Sequence, residues 1–277
     1  MPTFQLLAGF TTWGTIGTYE KPEDAIPGLA PSGYHVLEAE ITSWLKDDFV
    51  DLVRSSRLLP VVQCFPLTVK DVIPALIRAK EIGALVVNAH AGTAHLAEDE
   101  AVKLVNALYD EAEKLGVRLL LETHRGRLTQ DLFRTARLCD RIPRLRFNLD
   151  VSHLVVCEET FGPAQSLKPL IFPIIDRTEM IHGRICNGEQ IQVDAGDGKG
   201  ELAQLYITFW SEVMRRWRRR SPAGSAFIFT PELGPPSYSI TGRDGKEFTD
   251  RISQSAVLVE MAKTAWKMSA QSSDPLW

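Results

Sequence analysis

With 277 residues, 44% hydrophobic and 24% charged, the chain has ordinary globular composition and the length of a single α/β barrel. A formal net charge of -4 lacks the basic balance of a dedicated nucleic-acid binder, and no stretch approaches the ~20 apolar residues of a membrane span. The four cysteines, Cys64, Cys139, Cys157 and Cys186, form no CxxC pair and no disulfide framework, so a reduced, cytoplasmic chain is the simplest expectation.

The opening MPTFQLLAGFTTWG has no basic n-region and too short an apolar run for a signal peptide. It contains the first strand-like run, FQLLAGF (4–10). The turn that follows, GFTTWGTIG, lacks the GxGxxG spacing of a dinucleotide-binding turn. The prolines of KPEDAIPGLAPSG leave room for only a short helix in this first unit.

Three more runs follow: HVLEAEI (35–41), LLPVVQCF (58–65) and ALVVNAH (84–90). The clearest helix spans 98–115, where Ala101, Leu104, Val105, Leu108, Ala112 and Leu115 share one face and Gly116 ends it. VRLLLET (117–123) reads as a strand, and a helix is expected from Thr129 as N-cap, with Leu132, Phe133 and Ala136 on one face. The last strand-like runs are LRFNLDV (145–151), EMIHGRI (179–185) and AFIFTPEL (226–233). A final helix from about Asp250 to Met268 would bury Ile252, Ala256, Val259, Ala262 and Trp266.

Strands alternating with crossover helices imply a parallel sheet, and eight such units without a linker imply a single closed (β/α)8 TIM barrel over 1–268. An open doubly wound sheet is the runner-up. The polar segment 269–277 is expected to be a frayed, disordered tail.

In such a barrel the C-terminal strand ends build the active site. Here they carry Asn88 and His90, Glu122 and His124, Asp150 and His153, His182 and Arg184, and Glu232, while the second strand carries Glu38 and Glu40. Singly, each has an ordinary structural role available; Asp150, for example, suits a helix cap. Together, several carboxylates on one partly dry rim would repel unless a cation sat among them. Glu122, Asp150, His182 and Glu232 offer three oxygen-bearing ligands and one nitrogen. That mixture suits Mn²⁺ first, then Mg²⁺ or Co²⁺, with Zn²⁺ also compatible.

The segments NAHAG (88–92), LLLETHRG (119–126), NLDVSH (148–153), MIHGRI (180–185), GDGKGEL (196–202) and TPEL (230–233), in this order, resemble the xylose-isomerase-like TIM barrels. The resemblance is to the sugar isomerase and epimerase branch, related to tagatose 3-epimerase and hydroxypyruvate isomerase, and it spans nearly the whole chain. It implies one divalent metal held by Glu122, Asp150, His182 and Glu232. It further implies proton transfer by Glu122 and Glu232 on opposite faces of a keto-sugar, through a metal-stabilised enediolate. His153 and Arg184 match positions that bind substrate oxygens, and His90, His124 and Glu158 are weaker candidates for the same lining. Trp13 could close an apolar side of the pocket or simply pack its loop. Relatives are often dimers or tetramers, so a homo-oligomer is compatible with the resemblance.

Three other readings stay open. The same metal and base could eliminate the C1 substituent of a 3-oxo-glycoside, making the protein a lyase or deglycosidase, with GPPSYSITGRDGKEF (234–248) as a lid. The zinc-dependent AP endonucleases of the superfamily need further histidines, but Gln63 stands where one would be wanted and Asp194 has no histidine beside it. The basic MRRWRRR (214–220) suits a solvated helix end facing away from the rim better than a DNA contact. A non-catalytic binding barrel is disfavoured by retention of all four ligand candidates.

Overall fold

Each apolar run becomes a short parallel strand in the computed structural model, which describes residues 3–271 and 274–277. The strands are β1 (Gln5–Thr11), β2 (Val36–Glu40), β3 (Leu59–Cys64), β4 (Val86–Ala89), β5 (Leu119–Glu122), β6 (Phe147–Leu149), β7 (Thr178–Gly183) and β8 (Ala226–Pro231). Every strand pairs with its sequence neighbours, and β1 pairs with β8, closing an eight-stranded barrel. The closed (β/α)8 architecture is therefore the one the alternation implied.

The helices are α1 (Ile26–Leu29), α2 (Ile41–Trp44), α3 (Asp47–Ser55), α4 (Val69–Ile82) and α5 (Glu98–Leu115). After them come α6 (Leu132–Arg141), α7 (Val151–Cys157), α8 (Lys168–Ile175), α9 (Glu201–Arg220) and α10 (Arg251–Gln271). The first unit holds only two 3-10 turns, Thr12–Thr15 and Pro22–Ala25, and the one-turn α1. Helix α5 has the expected limits, and Gly116 takes a left-handed φ of 68° so that its N–H reaches Ala112 O and Glu113 O.

Three local expectations are corrected. Helix α6 is capped by Asp131, which accepts the Arg134 amide, rather than by Thr129. The Thr129 hydroxyl instead donates to Glu122 O and accepts the His124 amide, fastening the loop after β5. Phe133, placed on the buried face with Leu132, is 58% exposed. Helix α10 buries Arg251, Ser255, Leu258, Val259, Ala262, Ala265 and Ser269, whereas Ala256 faces solvent. Its buried face is rotated because the Arg251 guanidinium docks on Gly14 O and Ile16 O.

The segment expected to fray begins inside α10, and residues 272 and 273 of it lie outside the described residues. Beyond them Trp277 is 4% exposed and donates its indole N–H to Pro163 O, so an aromatic anchor overrides the polar composition. The basic end of α9 is solvated only at its tip: Arg219 and Arg220 are exposed, whereas Arg215 is buried and Arg216 and Arg218 are half-buried. Arg215 and Arg216 pair with Glu212, Arg216 with Asp176, and Arg220 with Glu179. Among the described residues no helix is long and apolar enough to cross a membrane.

Inside the barrel, Val36, Val61, Val86, Leu120, Met180 and Ile228 form an apolar plug. Side chains alternate along a strand, so the residue two positions on points inward one layer higher. Those residues are Glu38, Gln63, Asn88, Glu122, His182 and Thr230, all buried. One further step reaches His90, His124, Arg184 and Glu232. The fold thus stacks a polar layer and a rim directly on a dry floor.

Candidate metal centre and active site

Glu122 ends β5 and sits at the centre of the polar layer. Its Oε2 accepts from Asn88 Nδ2 at 2.6 Å and lies 2.7 Å from His90 Nε2 and 3.3 Å from His182 Nδ1. His182 Nδ1 is also 3.4 Å from Glu232 Oε2, while its Nε2 lies 2.7 Å from Glu38 Oε2. Carboxylates from β5 and β8 therefore converge on one imidazole nitrogen that donates to neither.

Asp150 serves two purposes with two oxygens. Oδ1 accepts the Ser152 amide at 2.9 Å and caps α7, which is why β6 stops at Leu149. Oδ2 has no hydrogen-bond partner; it lies 3.6 Å from His153 Nε2 and 3.3 Å from Arg184 Nη2. Arg184 also donates to the Glu232 carboxylate and, through Nε, to Glu232 O at 2.8 Å. Its guanidinium carbon lies 4.9 Å from the Tyr238 ring centre and 5.6 Å from that of Trp13, and the two rings meet edge to face at 4.8 Å. Trp13 can stand there because residue 234 is glycine, where a Cβ would come within 2.2 Å of the indole.

His90, His124 and His153 form a row along the rim, with ring centres 4.7 and 4.0 Å apart. Burial holds His124 down to about 4, and His153 is also pushed well below its ordinary value by burial and by the neighbouring His124 and Arg184. His182 behaves oppositely: burial opposes its charge, but Glu38, Glu122 and Glu232 raise it well above the usual range. Burial likewise opposes the charge on Glu122, yet His90 and His182 hold that carboxyl well below its ordinary value. Asp150 is raised to about 6 by burial, partly countered by Arg184.

The donor set fits a cation. Glu38, Glu122, Asp150 and Glu232 are four carboxylates, each no more than 3% exposed, facing Arg184 and His182. Glu122 Oε1, Asp150 Oδ2 and His182 Nδ1 are buried without hydrogen-bond partners, an arrangement that is costly unless another group binds there. Among the described residues, three groups bring their ligand atoms within 4.8 Å: His90–Glu122–His124, Glu38–Glu122–His182 and Glu122–Asp150–His153. All share Glu122. Glu232 is in none of them; its carboxylate is engaged by Arg184.

The other sequence candidates separate. Trp13 joins the aromatic cover of Arg184, whereas Glu158 stands on the exposed C-cap of α7. Gln63 contacts His90 at 3.1 Å, and Asp194 is exposed and caps the Gly196 turn. Glu38 and Asn88 show in the sequence only as polar strand residues without a role. Asn148, 3.4 Å from Glu122, and Tyr238 are new to the site. The available signal was the inward register: a charged or amide side chain two positions beyond a floor residue.

Residues 67–193 match the family model for the xylose isomerase-like TIM barrel. No curated protein matches the chain. Among solved structures it is similar to a xylose isomerase-like TIM barrel protein from Mycobacterium smegmatis in complex with magnesium (12% identity, TM-score 0.63, covering 96% of this chain and 98% of that one). It is also similar to the D-allulose 3-epimerase from Methylomonas sp. (14%, 0.60, 95% and 99%). A third is the probable 3-DHS dehydratase from Bacillus anthracis (15%, 0.56, 92% and 97%). At these identities the likeness is one of fold.

Proposed function

Taking its xylose isomerase-like TIM barrel pattern as premise, we propose that the protein is a metal-dependent isomerase or epimerase of a keto-sugar. The observation that carries this reading is the approach of Glu122 and Glu232 to the same nitrogen, His182 Nδ1, at 3.3 and 3.4 Å. Two buried carboxylates from strands three apart in the barrel frame one point, as transfer of a proton between two positions of a substrate requires. One divalent cation, held by Glu122, Asp150, His182 and Glu232, would supply Lewis-acid polarisation of the substrate carbonyl.

The chain's own groups account for the remaining work. One glutamate removes the proton α to the carbonyl. Return from the other face inverts that carbon, and return to the neighbouring carbon isomerises the sugar. His153, with both ring nitrogens unpartnered, and Arg184, with Nη1 unpartnered, are the groups available to sugar oxygens. His90 and His124 extend that lining. Trp13 and Tyr238 cover Arg184 and keep water from it.

The test is incubation with a panel of free ketoses and of 3-oxo-glycosides in D₂O, with Mn²⁺ present. Deuterium entering intact sugar at an exchanged or inverted carbon is the expected result. Release of an aglycone would overturn it in favour of the lyase, and strand nicking at an abasic site in place of either would do so in favour of the nuclease.

A further inference from the structure

We propose that Glu38 is a positioning residue that aims His182 Nδ1 at the metal site, with Asn88 tying it to Glu122. The inference deepens the functional reading above and rests on it for the identity of the metal site.

Glu38 is fully buried in β2, with Leu37 and Ala39 beside it. A buried carboxylate without partners is costly, so its partners state its purpose. There are two: His182 Nε2 at 2.7 Å from Oε2, and Asn88 Nδ2 at 2.8 Å from Oε1. Both belong to the polar layer. Both oxygens of the Glu38 carboxylate are taken, Oε2 by His182 and Oε1 by Asn88, so it acts through other side chains rather than on a substrate.

At the 2.7 Å contact the Glu38 oxygen is the acceptor, so His182 presents N–H at Nε2. With Nε2 committed to Glu38, the nitrogen left for a cation is Nδ1, which faces Glu122 and Glu232. Nδ1 is buried without a hydrogen-bond partner. A histidine gripped at one nitrogen by a carboxylate, with the other aimed among oxygen ligands, has the orientation and basicity suited to a cation.

Strands β7 and β2 are separated by β8 and β1, so the contact crosses the barrel lumen. The barrel walls fix its span. Asn88 adds a second constraint: its Nδ2 donates to both Glu38 and Glu122, at 2.8 and 2.6 Å. One amide thus holds two like charges in register, and the ligand imidazole and ligand carboxylate share a single support.

Calorimetric titration of metal-free protein with MnCl₂ alone tests this in the wild type and in Glu38→Gln, with circular dichroism of both. A folded E38Q is expected to bind Mn²⁺ roughly 10- to 100-fold more weakly. Affinity within twofold of wild type would overturn the proposal. The wild-type chain provides a second readout that needs no metal. Nitrogen-15 imidazole spectra should show a slowly exchanging Nε2 proton on His182, assigned by its loss in His182→Gln. A rapidly exchanging Nε2 proton there would overturn the positioning role. Wild-type protein that binds no Mn²⁺ yet shows the protected Nε2 proton would instead sink the metal reading and leave the Glu38 grip standing.

Discussion

Asp150 divides its carboxylate: Oδ1 takes the Ser152 amide at 2.9 Å, and Oδ2 is left buried and unpartnered. The helix-cap and metal-ligand readings of this residue therefore do not compete, and substitution can separate them. Asparagine is as good a helix cap as aspartate, whereas alanine at such a position costs about 0.5–2 kcal/mol. Asp150→Asn is thus expected to unfold in urea close to wild type while losing Mn²⁺ affinity. Asp150→Ala is expected to lose both. Equal metal affinity in wild type and D150N would remove Asp150 from the ligand set.

Glu122→Gln and Glu232→Gln are each expected to lower kcat by about 10²–10⁴-fold, the usual contribution of a positioned acid or base. The two should differ in stability. Glu122 holds Asn88 and His90 as well as facing His182, so E122Q disturbs three neighbours. Glu232 has Arg184 as its principal partner. Wild-type turnover in either variant, with native circular dichroism, would rule out the paired-carboxylate mechanism.

The barrel was legible in the sequence because its two periods are local. Val36 and Glu38, or Leu120 and Glu122, are two residues apart, and that spacing alone stacks a polar layer on an apolar floor. What local spacing does not contain is contact across the lumen. Glu38 meets His182 from 144 residues away, and nothing near either position announces the other. Helix α10 was misphased for a related reason: Arg251 and Ser255 sit on its buried face, held by a loop far away in sequence. The end of the chain turns on Trp277, whose pocket is built by Pro163, Phe172 and Phe209, far earlier in the chain.

The aromatic cover of Arg184 has a kinetic signature. Tyr238→Ala removes a ring 4.9 Å from the guanidinium, a contact worth ~0.5–2 kcal/mol by cation–π attraction. KM is expected to rise with little change in kcat if Arg184 grips ground state and transition state alike. Arg184→Lys should be worse than its charge suggests. A lysine cannot span Asp150, the Glu232 carboxylate and Glu232 O at once. Steady-state kinetics of the two variants check this, and unchanged KM in both would place Arg184 outside substrate binding.

Glu212 links stability to pH away from the candidate site. Burial alone would raise its carboxyl, but hydrogen bonds from Arg215, the Leu276 amide and Arg216 hold it below the ordinary carboxylate value. The unfolded chain therefore binds a proton at a higher pH than the folded chain, and stability increases with pH across the interval between the two values. The contribution is fully present above the ordinary carboxylate value and disappears as pH falls through the lowered one. Glu212→Gln removes this acid-side slope and strands Arg215, which is 3% exposed, without its charge partner. Breaking a buried pair in this way costs roughly 3–5 kcal/mol. Urea unfolding of wild type and E212Q at neutral and acid pH should therefore show a large gap at neutral pH that narrows on acidification. A gap that stays constant with pH would show that Glu212 is not the titrating group.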